Sequence, residues 1–309
     1  MRSPLRHGLA LMLCLPAVSL PLAAAPEKMQ AVEIGEGGKL SVQTRPVPKP
    51  GAGEVLIRVR AAGVNPVDWK SAGRRVGLVA GTDVSGTIDA LGEGVTGWRA
   101  GEAVLGFARQ SGSYAEYAVV NVNSLARKPG SLTFEEAAGI PIAFETAYRA
   151  LHETAKIANG QTVLIHGAAG GVGSAAVQIA RAAGARVIGT ASANHHEFLR
   201  SIGVDQAIDY RTQKFEDFVK QADLVLNTAN SALNSRSMPV IRRGGMLVSI
   251  VGPPETAACE TAGIRCGSPN RATGASNAEL LSRVGELVEA GKLAVFVEEI
   301  FSMADAEKA

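Results

Sequence analysis

Short apolar runs that alternate with polar residues, each cut off by Gly or Pro, fill the chain from Gln30 to about Val120. Residues 55–59 (VLIRV), 84–90 and 114–120 (YAEYAVV) alternate in this way, and turns such as Pro50-Gly51 and Gly92-Glu93-Gly94 separate them. A period of two bounded by turn residues predicts strands, and strands this short and frequent predict a small antiparallel barrel or sandwich. Beyond Leu132 the period lengthens. Residues 135–150 carry helical spacing, and from Thr162 strands and helices alternate: strand 162–166, a helix through Ala182, strand 186–190, a helix at 196–202 and strand 206–208. A helix near 215–220, strand 224–226, a helix near 231–241 and strand 246–251 continue the rhythm. Strand, helix, strand in repetition predicts a parallel sheet wound by right-handed crossovers, so the chain reads as α/β, a β-rich N-terminal domain followed by a Rossmann-type doubly wound domain.

The 309 residues suffice for two domains with a full core, and 46% hydrophobic against 19% charged residues excludes a disordered chain. Basic and acidic residues number 31 and 29 and are spread along the chain, so nothing in the charge pattern points to nucleic acid. The first 25 residues stand apart. Arg2 and Arg6 precede an apolar run from Leu9 to Leu22, and Ala23, Ala24 and Ala25 supply small residues for cleavage, which predicts a signal peptide and export to the periplasm. The apolar run is shorter than the ~20 residues of a membrane-spanning helix, and no later stretch reaches that length, so no membrane span is expected in the mature chain. A start at Met29, opening MQAVEI, is the cytoplasmic alternative. Past the leader only Cys259 and Cys266 remain, too few for a four-thiolate zinc site; the reading favours two small buried apolar residues and leaves a disulfide between them open.

One turn carries recognisable chemistry. The apolar strand 162–165 runs into His166-Gly167-Ala168-Ala169-Gly170-Gly171-Val172-Gly173 and then a helix. Glycines between strand and helix let the backbone approach a pyrophosphate, and the helix N-terminus behind them offers unpaired N–H groups and the positive end of its dipole. That context makes Gly167, Ala169, Gly170, Gly171, Val172 and Gly173 dinucleotide-binding candidates, although the spacing departs from G-x-G-x-x-G. After the second strand the run is Thr190-Ala191-Ser192-Ala193-Asn194-His195-His196, with no acid before Glu197. A carboxylate there would bond a ribose 2′-hydroxyl and repel a 2′-phosphate, so Thr190, Ser192 and Asn194 favour NADP(H) over NAD(H); Ser192 and Asn194 also suit the cap of the next helix.

Residues 61–70 (AAGVNPVDWK), 81–86 (GTDVSG), 112–117 (GSYAEY) and 166–173 (HGAAGGVG), in this order and spacing, resemble the signature blocks of zinc-independent quinone oxidoreductases of the medium-chain dehydrogenase/reductase superfamily. The resemblance covers most of the mature chain. It implies a GroES-like catalytic domain over 27–145, with 293–309 returning to it, a Rossmann domain over 146–290, and an active cleft between them. It further implies NADPH-dependent hydride transfer to a quinone or an α,β-unsaturated carbonyl compound, often by a homodimer. Where zinc-dependent relatives carry Cys and a His-Glu pair, this chain has Asn65 and Thr82-Asp83. No metal is therefore expected, and hydrogen bonds must polarise the carbonyl.

By the same resemblance Asn65 lies near the nicotinamide and the substrate carbonyl, with Asp68 and Lys70 as further catalytic candidates; Asp68 and Lys70 also suit an exposed turn pair. Thr146 meets the cofactor, unless it is simply a helix-interior Thr, Tyr210 lies near the adenosine phosphate, and the backbone of Val251 and Gly252 reaches the nicotinamide amide. The five histidines form no Ser-His-Asp or metal pattern and read as surface residues. Phe144-Glu145 and Asn227-Thr228 depart from the commoner family residues. Family members usually run on by roughly 20 residues, about a helix and a strand, so an unpaired sheet edge is expected here. A catalytically silent NADP-binding or structural relative is the alternative reading.

Overall fold

The computed structural model describes residues 25–70, 72–269 and 274–309. The signal reading for residues 1–25 falls, up to residue 24, outside the described residues. β1 (Lys28–Ile34) and β2 (Leu40–Pro46) form an antiparallel ribbon. A five-stranded antiparallel sheet follows, built from β3 (Glu54–Gly63), β4 (Asp83–Leu91), β5 (Ala103–Phe107), β6 (Tyr117–Asn121) and β7 (Leu125–Arg127) in the order β6-β3-β4-β5-β7. Helix α1 (Pro66–Lys70) leaves the end of β3. The run 114–120, which reads as one strand, serves both layers. Ala115 bridges to Ala31 and the Val32 N–H donates to the Tyr114 carbonyl, while residues from Tyr117 pair with β3. One strand thus closes the ribbon over the sheet.

The helical stretch read at 135–150 is divided. α2 (Phe134–Ala138) is started by a capping box between Thr133 and Glu136 and stops at Gly139; α3 (Pro141–Tyr148) restarts on a proline, which suits a first helical turn but cannot continue a helix. It passes into a π-helical turn, Arg149–Thr154. The parallel sheet comprises β8 (Thr162–His166), β9 (Arg186–Ala191), β10 (Gln206–Asp209), β11 (Ala222–Asn227), β12 (Ile241–Ser249) and β13 (Arg265–Gly267), in the order β10-β9-β8-β11-β12-β13. Between the strands run α4 (Gly171–Ala182), α5 (His196–Ser201), α6 (Phe215–Phe218), α7 (Ala232–Ser237) and α8 (Thr256–Ala262). The helix expected to reach 241 ends earlier because Pro239 interrupts it.

Successive residues of β8 serve opposite faces. Val163 and Ile165 pack with Ala175, Ala176 and Ile179 of α4, and Leu164 packs with Val225, Leu247 and Phe215 on the other side. Each such side chain contributes about 1.5–3 kcal/mol when buried, so packing on both faces fixes the strand end under the turn at Gly167. The chain winds outward from β8 through β9 and β10, then returns to add β11, β12 and β13. The β8–β11 boundary is the point where strand order reverses and where ligands of such sheets bind.

Beyond β12, three elements have no counterpart in the sequence reading: α8, β13 and α9. α9 (Asn277–Glu289) starts on a Ser276–Glu279 capping box and buries Leu280, Leu281, Val284 and Val288 against the layer that holds α3. β13 extends the sheet, and Cys266 in it is disulfide-bonded to Cys259 of α8, so the two cysteines are a cross-link rather than separate apolar fillers. The last segment runs from α4, where the Gln178 amide bonds both backbone groups of Ala294, to β2, where Glu307 accepts the Leu40 N–H at 2.9 Å. Among the described residues no helix is long and apolar enough to cross a membrane.

Candidate active site

A cavity of about 870 Å3 opens where the two sheets meet, between α1, α3, the turn after β8 and the loop after β12. It brings together Asn65, Lys70, Thr146, Gly167, Gly170, Gly171, Val172, Gly173, Val251 and Gly252, ten of the residues singled out from the sequence.

The turn explains its own glycines. Gly167 has φ +70°, and a Cβ there would lie 2.7 Å from the Thr228 hydroxyl. A Cβ on Gly173 would lie 2.1 Å from the Gly167 carbonyl, so this glycine lets α4 sit tightly on the strand end. Gly170 and Gly171 differ: the nearest atoms to an added Cβ lie 3.5 and 3.8 Å away. Nothing in the protein requires glycine at these two positions, and both border the cavity. α4 begins on Gly170 without a side-chain cap, which leaves its first N–H groups for a ligand. This cradle fits a pyrophosphate. Ala169 does not line the cavity and packs instead against the hydrophobic core.

Behind the cradle lies His166, buried between Thr190 Oγ1 at 3.2 Å and Ser237 Oγ at 3.1 Å. Burial lowers its pKa to about 4, so the ring is neutral at physiological pH. The expectation that the histidines are surface residues is corrected here; β8 carries His166 into the interior, and two hydroxyls make it tolerable there. Thr190 stands behind the turn, its hydroxyl shared by His166 and the Gly167 N–H.

At the end of β9, Ser192 Oγ donates to Asn194 Oδ1 at 2.5 Å and meets His195 Nδ1 at 3.0 Å. Tyr210, largely exposed at the end of the neighbouring β10, carries the Arg211 guanidinium 5.8 Å from its ring centre. Asp209 beside them spends its carboxylate on the Arg211 N–H and the Thr212 hydroxyl. Arg211 is a cation the sequence reading did not name, although it follows Tyr210, the residue that reading placed near the adenosine phosphate. At the opposite wall, Asn227 Nδ2 donates to Asn234 Oδ1 at 2.7 Å, and Asn234 Nδ2 donates to the Gly252 carbonyl at 3.2 Å. This chain of amides orients the Val251-Gly252 backbone and ends on one of the residues, Asn227, that departs from the family's commoner choice.

Asn65 enters from the antiparallel side, just before α1. Its backbone N–H donates to Asp68 Oδ2 at 2.9 Å and its Nδ2 donates to Asp83 Oδ2 at 2.9 Å. Asp68 is buried beneath Asn65, accepts from Tyr114 OH at 3.1 Å and does not line the cavity; Lys70 is exposed at its rim, so the two are not an exposed turn pair. Burial raises the pKa of Asp68, against the lowering effect of the Asn65 and Tyr114 bonds. Burial pushes Asp83 up to about 8, despite bonds from Ile142 and Asn65, and the nearby Asp68 carboxylate adds to the rise. Glu145 faces the cavity but is held by Arg149 Nε at 2.6 Å, and Arg149 also binds Glu153 and the Ala275 carbonyl. Among the described residues no three His, Cys, Asp or Glu side chains gather where they would hold a metal ion.

Comparison with known proteins places these features in company. The alcohol dehydrogenase GroES-like domain family matches residues 51–130, and the zinc-binding dehydrogenase family matches residues 202–309. The chain is 33% identical to the 2-methylene-furan-3-one reductase of Solanum lycopersicum over 295 residues, covering 87% of this chain and 71% of that one. It is 32% identical to the chloroplastic NADPH-dependent alkenal/one oxidoreductase of Arabidopsis thaliana, covering 89% and 73%. The solved quinone oxidoreductase of Coxiella burnetii superposes with a TM-score of 0.83 at 30% identity, over 91% of this chain and 94% of the other.

Proposed function

Because the chain belongs to the medium-chain dehydrogenase/reductase superfamily as a quinone oxidoreductase-like member, we propose that it is an NADPH-dependent, zinc-independent reductase of quinones or α,β-unsaturated carbonyl compounds. The family makes it an oxidoreductase that uses a nicotinamide dinucleotide. The observation that carries the finer reading is the meeting, in one cavity, of an open Gly170-Gly171 cradle with an asparagine amide at the position of a metal ligand in zinc-dependent relatives.

A reduced nicotinamide supplies hydride when bound. The chain's own residues do the rest. The cradle and the N-terminus of α4 take the pyrophosphate, Thr146 and the Val251-Gly252 backbone flank the nicotinamide end, and the Asn65 amide meets the substrate carbonyl. Val64, Val67, Ile142 and Ile250 line the same space with apolar surface that accepts the body of a quinone or enone. Preference for NADPH is supported by the end of β9, which lacks an acid, and by the Arg211 cation that follows the neighbouring β10, a partner of suitable charge for a 2′-phosphate. Independence from zinc is supported by the residues at the family's ligand positions, Asn65, Thr82 and Asp83, which supply neither the thiolate nor the imidazole of the zinc-dependent relatives. Export rests on residues 1–25, and a Cys259–Cys266 disulfide accords with an oxidising compartment. Two copies joined through the parallel sheet complete the proposal.

The test is oxidation of NADPH, followed at the nicotinamide absorbance, by purified protein given a naphthoquinone or a short enone. Turnover unchanged by chelators supports the reading. Turnover of saturated alcohols alone, or turnover that chelators abolish, overturns it.

A further inference from the structure

Asp83 is the first residue of β4 and is almost wholly buried, with 1% of its surface exposed. Its Oδ2 accepts two hydrogen bonds, from Asn65 Nδ2 at 2.9 Å and from the Ile142 N–H at 3.0 Å, while its Oδ1 has no partner. The two donors come from different parts of the molecule. Asn65 ends the loop from β3 into α1; Ile142 lies in the first turn of α3, the helix whose next turn carries Thr146 into the cavity. α3 has no side-chain cap of its own, and Asp83 supplies the missing acceptor from across the sheet. The approach depends on Gly63, the strand partner of Asp83, where a Cβ would lie 2.4 Å from the Ala138 carbonyl.

We propose that Asp83 is the positioning residue of this site, a single carboxyl oxygen that fixes the Asn65 amide and the start of α3 relative to one another. The inference rests on the reductase reading of the same cavity. An acceptor at this point forces the NH2 side of the Asn65 amide toward Asp83, which leaves its second N–H for a substrate carbonyl. Asp83 touches neither cofactor nor substrate in this scheme, since it does not line the cavity. Its surroundings are already committed: Asp68 on α1 is held by Thr82, Tyr114 and the Asn65 backbone, and Arg109 lies on the loop after β5.

The test compares Asp83→Asn, Asp83→Leu and Asp83→Ser, each alone and combined with Asn65→Ala, in the full chain. Asp83→Asn keeps a carbonyl oxygen for both donors and is expected to hold kcat within about threefold of the parent. Asp83→Leu, of similar size, removes the acceptor and is expected to lower kcat by about tenfold or more, with the NADPH Kd within about threefold. If the leucine variant does not fold, Asp83→Ser, whose hydroxyl cannot span both donors, takes its place. In the Asn65→Ala background the further loss should vanish, because Asp83 acts through Asn65. Equal losses in both backgrounds, or a folded Asp83→Asn as impaired as the leucine variant, overturn the proposal. Amide exchange at Ile142, faster in Asp83→Leu and Asp83→Ser than in Asp83→Asn, reads the clamp without turnover. That readout separates failure of the clamp from failure of the reductase reading, which would show as a parent protein inactive on every quinone and enone.

Discussion

Gly170 and Gly171 border open space while Gly173 is pressed against the Gly167 carbonyl, so glycines in one turn answer to different demands. Gly171→Leu therefore folds but fills the cradle: melting within about 2 °C of the parent and NADPH binding weaker by at least about tenfold, roughly 1.4 kcal/mol, by calorimetry. A loss of folding instead would mean that the position serves packing. Asp83 gives a prediction with a definite sign. Folded Asp83 holds its proton to about 8, whereas an unfolded carboxyl releases it near 3.8. Its contribution to stability is thus full below 3.8 and is lost as pH rises through about 8. The melting temperature of the parent should fall between pH 7 and pH 9 more steeply than that of Asp83→Asn, and equal slopes would assign the titration elsewhere. Asn65 and the glycine turn were legible because their meaning lies in adjacent residues. Asp83 was not, because its bond to Ile142 spans 59 positions and exists only once β4 and α3 are packed.

Helix and strand boundaries followed local chemistry where that chemistry was strong. β8 begins and ends as its apolar run predicts, and the break at Gly139-Ile140-Pro141 splits a stretch whose spacing alone read as one helix. α9 is signalled locally, by its Ser276–Glu279 capping box, and lies beyond the strand and helix alternation predicted up to residue 251. His166 shows what periodicity cannot price: a strand position inside a parallel sheet is buried whatever residue it holds. Its pKa falls from 6.5 to about 4 on folding, so its contribution is intact above 6.5 and is lost as pH falls through about 4. The difference amounts to about 3 kcal/mol, and His166→Asn should flatten the acid limb of a melting curve taken from pH 7 to pH 4. An unaltered limb would place the sensitivity in another group. Arg149, buried in the π-helical turn, ties Glu145 and Glu153 to Ala275 ahead of α9. Arg149→Met removes the buried cation that pairs with two carboxylates and should cost about 3–5 kcal/mol in urea unfolding; a cost under about 1 kcal/mol would show that the carboxylates relax into solvent.

The architecture as a whole was readable because the change of period near Leu132 separates two kinds of sheet, and because each strand of the second kind is followed by a helix. What the sequence withheld is what tertiary contact creates: the strand shared between ribbon and sheet, the sixth parallel strand with its disulfide, and the amide chain from Asn227 to Gly252. The proposed preference for NADPH belongs to this scale, since it rests on the ends of β9 and β10, which pair side by side. The most direct measurement titrates the nicotinamide fluorescence of NADPH and NADH with the protein from Pro26 onward, for the parent and for Arg211→Ala. NADPH is expected to bind at least about tenfold tighter than NADH, with a gap that narrows in Arg211→Ala. A folded protein that binds neither dinucleotide, or binds NADH as tightly as NADPH, would contradict it.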